Sequence, residues 1–558
     1  MAGRWRGSHT NPNPNTTHVA IYVYSRSIHR CHFGIPLTQR QHSFSSPSMP
    51  SLHHTRLLSL LILIIAIPIA IVIRQRDTQA ANTSSLYVMD IDPGLPLVTA
   101  AHPAREDGAL DYVRCAKLHN WLVEHAWVAD GGSLDELERP SFFEHYGDEA
   151  DEIAHRLDPS LVSFLQSIVV SERLPPFFFW VEGITPPSDI FSAQDMFQEH
   201  EDASWRFLTL YTTNIGLCGH SLGLLYDQKL HRATMTLGIE DVDFVKPVDV
   251  HVNLWHPLET VLSNWICMVQ IGKITASQDG ALSEKFGPWG WNTYSEVQVD
   301  STVAAFERLV DAIEERMPVG SHLPLTEGGP LLSTAQLDAA SVPDSCFVRS
   351  FATRARKPRF RLIAPGLEVP HNPTVFVANQ KFTVMNVSSE YGPIIPPVLL
   401  FASSERATVT LGGPSQYVSF NPFLIEFRDV GGDGPVMAGL YSESVARFSI
   451  DNAEEGFRLL LPFRFRDGNF QDGVQGAKKS DGSFVTEGSV AELFQHGFKS
   501  FGGEWWRAQR LEVLFGHWRG MIEKGIWTVG DEGVQGDIQL FKDAGTHSSQ
   551  DYHIEPSW

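Results

Sequence analysis

Apolar positions repeat with helical spacing in several parts of the chain. The clearest stripe steps by 4, 3, 4, 3 and 4 positions, which places its members on one helix face. It consists of Val299, Val303, Phe306, Val310, Ile313 and Met317. Ser295, with Gln298 three residues later, has the pattern of a capping box for this helix. Similar spacing predicts helices at 257–268, where Pro257 fits the first turn, and at 511–522.

Residues 105–127 and 148–170 also have the pattern of helices. A further stripe, spaced 3, 4, 3, 4 and 3, predicts one continuous helix through 208–225, and a break at Gly219 is the alternative, because three glycines weaken the helix. Its members are Leu208, Tyr211, Ile215, Cys218, Leu222 and Leu225.

The pattern changes after residue 346. Short runs of β-branched and aromatic residues, separated by Gly- and Pro-containing turns, are typical of strands. The runs are TVFVANQKFTVMNV (374–387), PPVLLFAS (396–403), RATVTLGGPSQYVSF (406–420) and FLIEF (423–427). The chain is therefore expected to be of the α+β class.

The predicted organisation has four parts after a hydrophobic segment. A helical domain covers 85–318, and a linker rich in Pro, Gly, Ser and Leu covers 319–345. A β-rich module at 346–465 and a helical C-terminal region at 466–558 follow.

The segment LLSLLILIIAIPIAIVI (57–73) has 17 residues without a charge, between Arg56 and Arg74. As a helix it would rise about 25 Å, enough to span the hydrocarbon of a bilayer. It is predicted to be a signal anchor, or a cleaved signal peptide if translation starts at Met49. Either alternative places the chain after about residue 80 in a lumenal or extracellular compartment.

The residues before this segment differ from the rest. Residues 1–56 contain six Arg and no Lys, Asp or Glu, and they are predicted to be a disordered basic leader. A transit peptide, or an extension upstream of a start at Met49, are the alternatives.

Two sequons and five cysteines bear on the compartment. Asn82 and Asn386 begin Asn-x-Ser sequences and are the predicted glycosylation sites. Four cysteines follow the apolar segment: Cys115, Cys218, Cys267 and Cys346. Three pairings are possible, and the sequence leaves open one or two disulfide bridges or buried thiols.

Composition and charge exclude one class of partner. The chain has 558 residues, 43% of them apolar, which is ample for a large core. Its formal net charge is −22, and all 65 acidic residues follow the leader. Such a surface repels phosphate backbones, so no nucleic-acid partner is expected. The membrane, through 57–73, is the one predicted partner, and no cofactor is predicted.

Ser221 lies in GHSLG (219–223), which fits the G-x-S-x-G nucleophile elbow of serine hydrolases. That elbow needs a strand before the serine and a helix after it. The helical stripe through 208–225 favours another interpretation, in which Gly216, Gly219 and Gly223 share one face of a helix.

A second candidate is the block 238–260, which is rich in groups that bind metals or transfer protons. It contains Glu240, Asp241, Asp243, Asp249, His251, His256 and Glu259. The two histidines are five apart, not four as in a zinc-binding helix, and an acidic surface loop before a helix is the alternative. No catalytic or metal-binding residue is assigned.

One basic cluster and several aromatic runs are also present. The cluster contains Arg349, Arg354, Arg356, Lys357, Arg359 and Arg361. It is expected to pair with carboxylates of the chain rather than with an anionic ligand. The runs PFFFW (176–180), GPWGWNTY (287–294) and GEWWRAQR (503–510) are expected to be core edges rather than binding platforms.

Three blocks, at 238–277, 286–317 and 493–515, resemble a family of uncharacterised proteins from filamentous fungi. The resemblance covers most of the chain after residue 85. It implies no activity and no catalytic residues, and it makes residues 1–48 an unusual extension.

Together these features predict a membrane-anchored or secreted globular protein that binds or scaffolds. The alternatives are a serine hydrolase that uses Ser221, with Asp241 or Asp243 and a distant histidine, and a metal-dependent enzyme built on residues 240–259.

Overall fold

The structure is a computed structural model in which helices and strands are mixed, as expected for the α+β class. It describes residues 94–214, 222–238, 241, 245–279, 284–323, 329–385, 387–411, 421–427, 435–465, 476–504 and 507–558. Within these ranges no helix is both long enough and apolar enough to cross a membrane. The hydrophobic segment 57–73 and both sequons, at Asn82 and Asn386, lie outside the described residues.

The α-helices of the described residues are numbered in chain order. They are α1 (Tyr112–Ala129), α2 (Phe142–Tyr146), α3 (Asp148–Ala154), α4 (Pro159–Leu165), α5 (Ala203–Arg206), α6 (Leu258–Gln270), α7 (Glu296–Glu314), α8 (Thr334–Ala339), α9 (Phe347–Arg354), α10 (Pro373–Ala378) and α11 (Leu511–Glu523).

The strands are numbered in the same way. They are β1 (Val181–Ile184), β2 (Phe207–Thr213), β3 (Gly223–Asp227), β4 (Arg232–Met235), β5 (Ile274–Ala276), β6 (Trp289–Trp291), β7 (Leu362–Ala364), β8 (Leu367–Glu368), β9 (Ile394–Ile395), β10 (Leu399–Ser403), β11 (Thr408–Thr410), β12 (Pro435–Met437), β13 (Gly439–Ser442), β14 (Val445–Ala446), β15 (Phe457–Leu460), β16 (Val529–Gly530) and β17 (Gly533–Val534).

The helices with the clearest apolar stripes are confirmed. Helix α7 begins after Ser295, whose hydroxyl accepts from the Gln298 backbone N–H at 3.2 Å. The Gln298 side chain in turn accepts from the Ser295 backbone N–H at 3.0 Å, which completes the predicted capping box. Helices α6 and α11 also lie where the spacing places them, with Pro257 as the N-cap of α6. Each of the three helices packs its apolar face into a core.

The continuous helix predicted through 208–225 is wrong. Its first part is strand β2 and its last part is strand β3, and these two pair antiparallel in a sheet of order β1-β2-β3-β4. All five residues of β3 and six of the seven in β2 are buried. A strand buried on both faces has no alternation of apolar and polar positions, so its apolar residues can match a helical period by chance.

Three strand predictions are also wrong, and one of them is the second run of 374–387, where residues 382–385 form turns and bends. The run at 374–378 is helix α10, because Pro373 is its first residue and the Asn372 side chain caps it by accepting from the Thr374 and Val375 N–H groups. The run at 423–427 contains a short 3-10 helix, Ile425–Phe427. The strands expected within 396–403 and 406–420 are present as β10 and β11.

Two large groups of buried side chains organise the fold. The first core is built on β1–β3, α1, α4 and α6, and it includes Phe501 and Trp558 from the far end of the chain. The second core is built on α7, α9 and α11 against a seven-stranded sheet of order β15-β13-β10-β8-β7-β17-β16. In that sheet β17 pairs parallel with β7, and the other pairings are antiparallel.

Three cysteines are free thiols in the described part of the chain: Cys115, Cys267 and Cys346. Burial raises the pKa of the Cys115 thiol well above its usual value, and that of Cys346 to about 11. Cys115 and Cys346 are therefore the buried thiols that the sequence left open as one possibility, and Cys267 is a partly buried free thiol. Cys218 lies outside the described residues.

Candidate functional site

The serine motif ends at Gly223, the first residue of strand β3. Ser221 itself, with Gly216 and Gly219, lies outside the described residues. Gly223 opens strand β3 at a φ of +154°, and a Cβ atom there would stand 1.8 Å from the carbonyl oxygen of Tyr211 on β2. This glycine is therefore needed for close approach of two strands. An elbow needs a helix after the serine, and here a strand follows.

The block 238–260 packs against a segment near the C-terminus. His251 donates through Nε2 to the carbonyl oxygen of Asp481. The His256 ring lies against Phe501, with ring centroids 4.6 Å apart. Just before the block, the Met235 N–H donates to the Ser500 carbonyl at 2.9 Å. These contacts join distant parts of the sequence.

The acidic residues of the block are held separately. Asp249 pairs with Arg206 at 2.5 Å, and Arg206 also pairs with the fully buried Asp227 at 2.7 Å. Asp241 accepts from two backbone N–H groups, those of residues 237 and 238. Glu259 accepts from the Arg105 N–H at 3.0 Å and from the Cys115 thiol at 3.7 Å.

These placements decide what the block can do in the structure. Glu240 and Asp243 lie outside the described residues. Among the described ones, no three His, Cys, Asp or Glu side chains are grouped so that they could hold a metal ion. The described members of the block are engaged in contacts that stabilise the fold.

A buried charge cluster joins the two cores. It lies near the contact between the block 238–260 and the C-terminal segment. It consists of Lys273, Asp451, Glu455, Lys499, Glu504 and Arg507. The Arg507 guanidinium donates to Asp451 at 2.7 Å, and both side chains are at most 2% exposed. Lys273 pairs with Glu455 at 2.9 Å, also in full burial. Gln298 of α7 donates to the same carboxylate at 2.9 Å, so the second pair bridges both cores.

Two members of the cluster titrate near neutral pH. Burial, with the carboxylates of Asp451 and Asp241, raises the pKa of Glu504 to about 7. Burial, with the nearby Arg507 guanidinium, lowers the pKa of Lys499 to about 7. Groups poised in this way can exchange protons at neutral pH, but neither of the two clefts described below includes them. We therefore interpret the cluster as a junction between the cores.

The basic cluster pairs with carboxylates of the chain, as the sequence predicts. Arg354 pairs with Glu296 and Asp300 at the start of α7. Arg356 pairs with Asp311 and Glu314 at its end. Arg349 pairs with Asp338 at 2.8 Å, and Arg361 with Glu532 at 3.3 Å. The basic side chains tie α9 and β7 to their acidic neighbours.

The aromatic runs contribute mainly to the first core. Phe178, Phe179 and Trp180 are fully buried, as is Trp289. Phe177 is buried too, but it also lines a cleft. Trp505 and Trp506 lie outside the described residues.

This cleft, which we call the α1–β1 cleft, has a volume of about 120 Å³. Four parts of the first core surround it: the inner face of α1, the C-terminal end of α2, the segment 169–177 and strand β1. The sequence determines both ends of α2 locally. A capping box between Ser141 and Glu144 starts α2, and Gly147, at a φ of +54°, ends it.

The floor of the α1–β1 cleft is aromatic. His119 of α1 stacks on Phe177, with ring centroids 4.6 Å apart and planes 25° apart. Its Nε2 donates to the carbonyl oxygen of Val169 at 3.1 Å, so its Nδ1 accepts from the Tyr211 hydroxyl at 2.9 Å. Burial lowers the pKa of His119 to about 4. The ring is therefore neutral at physiological pH.

The rim of the cleft is acidic and aromatic. His145 and Tyr146 stand edge to face at the end of α2, with centroids 4.5 Å apart. Glu172 and Glu182 complete the rim, and no Lys or Arg is found among the described lining residues. Burial raises the pKa of Tyr146, and the charge of Glu172 raises it further. The rim therefore places two carboxylates near a phenolic ring.

Glu182 reaches the rim because β1 is irregular there. A tight turn pairs Phe178 with Val181 through reciprocal backbone hydrogen bonds of 2.9 and 3.0 Å. The register between β1 and β2 then shifts between Val181 and Gly183. Such a bulge re-aims a side chain, and Glu182 is exposed between the buried Val181 and the partly buried Gly183.

A second cleft, of about 150 Å³, lies between β8, α10 and β10. Three of its polar side chains are used by the fold. Gln380 donates to and accepts from the backbone of Leu399, both at 3.0 Å, and His371 bonds to the Phe360 carbonyl at 2.7 Å. Asn372 caps α10. The α1–β1 cleft, whose rim carries charged and aromatic groups, is the better candidate for a binding site.

Sequence reasoning did not find this cleft, except for the PFFFW run that contains Phe177. The residues that shape it come from four elements, and no short motif joins His119, Tyr146, Glu172 and Glu182. The available signal was a histidine on the apolar face of the helix predicted at 105–127.

Comparison of the chain with protein-family models, with curated proteins and with solved structures gave no match. The resemblance to filamentous-fungal proteins stays a prediction. The function is therefore argued from the geometry of the chain itself.

Proposed function

We propose that this protein is a membrane-anchored or secreted binding protein whose ligand site is the α1–β1 cleft. In this proposal the segment 57–73 anchors the chain or is cleaved, and the folded part lies in a lumenal or extracellular compartment. The ligand is a small molecule, because the cleft, at about 120 Å³, is smaller than sites for drug-sized ligands.

The observation that carries the proposal is the contrast between floor and rim. The floor is a neutral aromatic stack of His119 on Phe177, held rigid by hydrogen bonds at both nitrogens of the histidine. The rim adds the convergent polar groups of Glu172, Glu182 and Tyr146. An apolar concavity with a few polar groups at its edge is the usual form of a small-molecule site.

The proposed compartment is oxidising, and the thiols tolerate it. Burial raises the pKa of Cys115 and Cys346, so little reactive thiolate forms at neutral pH. If Asn82 and Asn386 carry glycans, endoglycosidase treatment of protein from eukaryotic cells increases its mobility, and Asn82→Gln with Asn386→Gln removes the shift. No shift, together with digestion by protease added from the cytosolic side, would contradict the placement.

The two enzymatic alternatives gain no support from a specific observation. The glycine that ends the GHSLG motif enters strand β3. Each described acid of the block 238–260 has its own partner. Asp249 pairs with the Arg206 side chain, and Glu259 and Asp241 accept from backbone N–H groups. The proposal therefore does not include Ser221 or a metal ion.

A thermal-shift screen of small organic compounds tests the binding site. A ligand that binds the native cleft raises the unfolding midpoint by mass action. Ser171→Trp places an indole in the lining of the cleft and should abolish the shift. Thr408→Trp, on exposed β11 in the second core, is the matched control and should preserve it. Compounds that stabilise the wild type and Ser171→Trp equally would refute the site.

A further inference from the structure

The charge of the α1–β1 cleft indicates which ligands it accepts, and this inference rests on the proposed function. Glu172 and Glu182 place two carboxylates at the rim. The one arginine of the segment 169–177, Arg173, is turned to Glu138, with which it pairs at 3.0 Å. The rim therefore favours a positive group on the ligand.

The aromatic groups favour the same charge. The face of an aromatic ring is negative and attracts cations within about 6 Å of its centroid. Phe177 forms the floor of the cleft, and Tyr146 stands at the rim beside Glu172. His119, whose pKa is about 4, adds no competing positive charge at neutral pH.

The size and chemistry of the cleft narrow the class of cation. A volume of about 120 Å³ accepts a group of a few non-hydrogen atoms. The described lining offers carboxylates and rings but no grouping of three ligands that could hold a metal ion. The chain as a whole has a net charge of −22, which raises the local concentration of cations.

We propose that the α1–β1 cleft binds a small organic cation, a primary amine or a quaternary ammonium group. The carboxylates of Glu172 and Glu182 balance its charge, and the rings of Tyr146 and Phe177 contact its apolar surface. Arrangements of carboxylates and aromatic faces recognise ammonium groups in this way.

Isothermal titration calorimetry on the full chain tests this proposal with three probes. Choline and n-butylamine supply the two kinds of cation, and 3,3-dimethyl-1-butanol is the neutral counterpart of choline. We expect at least one of the two cations to bind at least about tenfold more tightly than the neutral probe, since an ion pair with a desolvated ring contact is worth more than 1.4 kcal/mol.

Variants locate the binding. Glu172→Gln with Glu182→Gln should weaken binding of the cation at least about tenfold, and Glu138→Gln, which leaves the lining intact, should not. Tyr146→Phe should retain binding, and Tyr146→Leu should weaken it. Unfolding curves establish that each variant is folded.

Two results would overturn the proposal. If the neutral probe binds as tightly as the cations and Ser171→Trp abolishes its binding, the cleft is a ligand site for neutral molecules, and the proposed function stands without the cation. If neither cation binds the folded wild type, the cation proposal fails, and the thermal-shift screen with Ser171→Trp decides the proposed function separately.

Discussion

His119 lies on Phe177 with ring centroids 4.6 Å apart, and the same imidazole accepts a hydrogen bond from the Tyr211 hydroxyl. This contact ties α1 to β2 beneath the proposed binding site. Because all three side chains are buried, none of their polar atoms can turn to water instead. The floor of the cleft is therefore rigid before any ligand arrives.

His119→Phe should lower the free energy of unfolding by about 1–3 kcal/mol, because it leaves the buried Tyr211 hydroxyl without its acceptor. Tyr211→Phe in the same chain removes that hydroxyl, so the double variant should lose less than the sum of the two single variants. Urea unfolding monitored by tryptophan fluorescence measures all three. Strictly additive losses would contradict the hydrogen bond.

Stability should fall as the pH drops from about 6.5 to about 4. Burial lowers the pKa of both His119 and His256 from 6.5 to about 4, so over this range the unfolded chain binds protons that the folded chain does not. Each such histidine contributes at most about 1.4 kcal/mol per pH unit.

His256→Phe keeps a ring against Phe501 and removes the titrating group. It should reduce the slope of the free energy of unfolding against pH, because at most one fewer proton is taken up on unfolding. Unfolding free energies measured at several pH values between 7 and 4 test this, and an unaltered slope in His256→Phe would count against it.

Arg507→Met should cost about 3–5 kcal/mol, because it leaves the buried Asp451 carboxylate without its partner. Asp451→Asn added to Arg507→Met removes the stranded charge and should recover part of the loss. Arg173→Met breaks the exposed pair with Glu138 and should cost about 1 kcal/mol or less. If Arg507→Met were no more harmful than Arg173→Met, the junction between the cores would not depend on this pair.

Gly223→Ala should destabilise the protein by about 2 kcal/mol or more, because the added methyl group meets the Tyr211 carbonyl and the residue has a φ of +154°. Gly516→Ala in helix α11 has open space around the new methyl group and should stabilise by about 0.5–1 kcal/mol. Thermal unfolding compares them. Similar effects of both substitutions would refute the close approach of β2 and β3 at this glycine.

Two features located helices in the sequence: an apolar face in all three, and a capping box in one of them. α6, α7 and α11 each bury one face more deeply than the other, and α7 also has its capping box, so their local signals agree with their tertiary positions. Strands β2 and β3 lack the first feature, since their neighbours cover both faces. In α10, the cap formed by Asn372 and Pro373 outweighs the β-branched residues that follow.

The residues of the candidate site were harder to predict from the sequence than the helices of the fold. The blocks that attracted attention, GHSLG and 238–260, contain several polar residues close together. In the structure the described members of the second block make contacts with Arg206, Asp481 and the backbone. The cleft instead depends on Tyr146, Glu172 and Glu182, which are brought together only when α2 and β1 pack against α1.

Crystal structures of the protein soaked with small amines and with neutral compounds of the same size test the central claim most directly. The account predicts that amines occupy the α1–β1 cleft, over Phe177 and between Glu172 and Glu182. Amines found repeatedly at another site, with the cleft accessible in the crystal and empty, would contradict it.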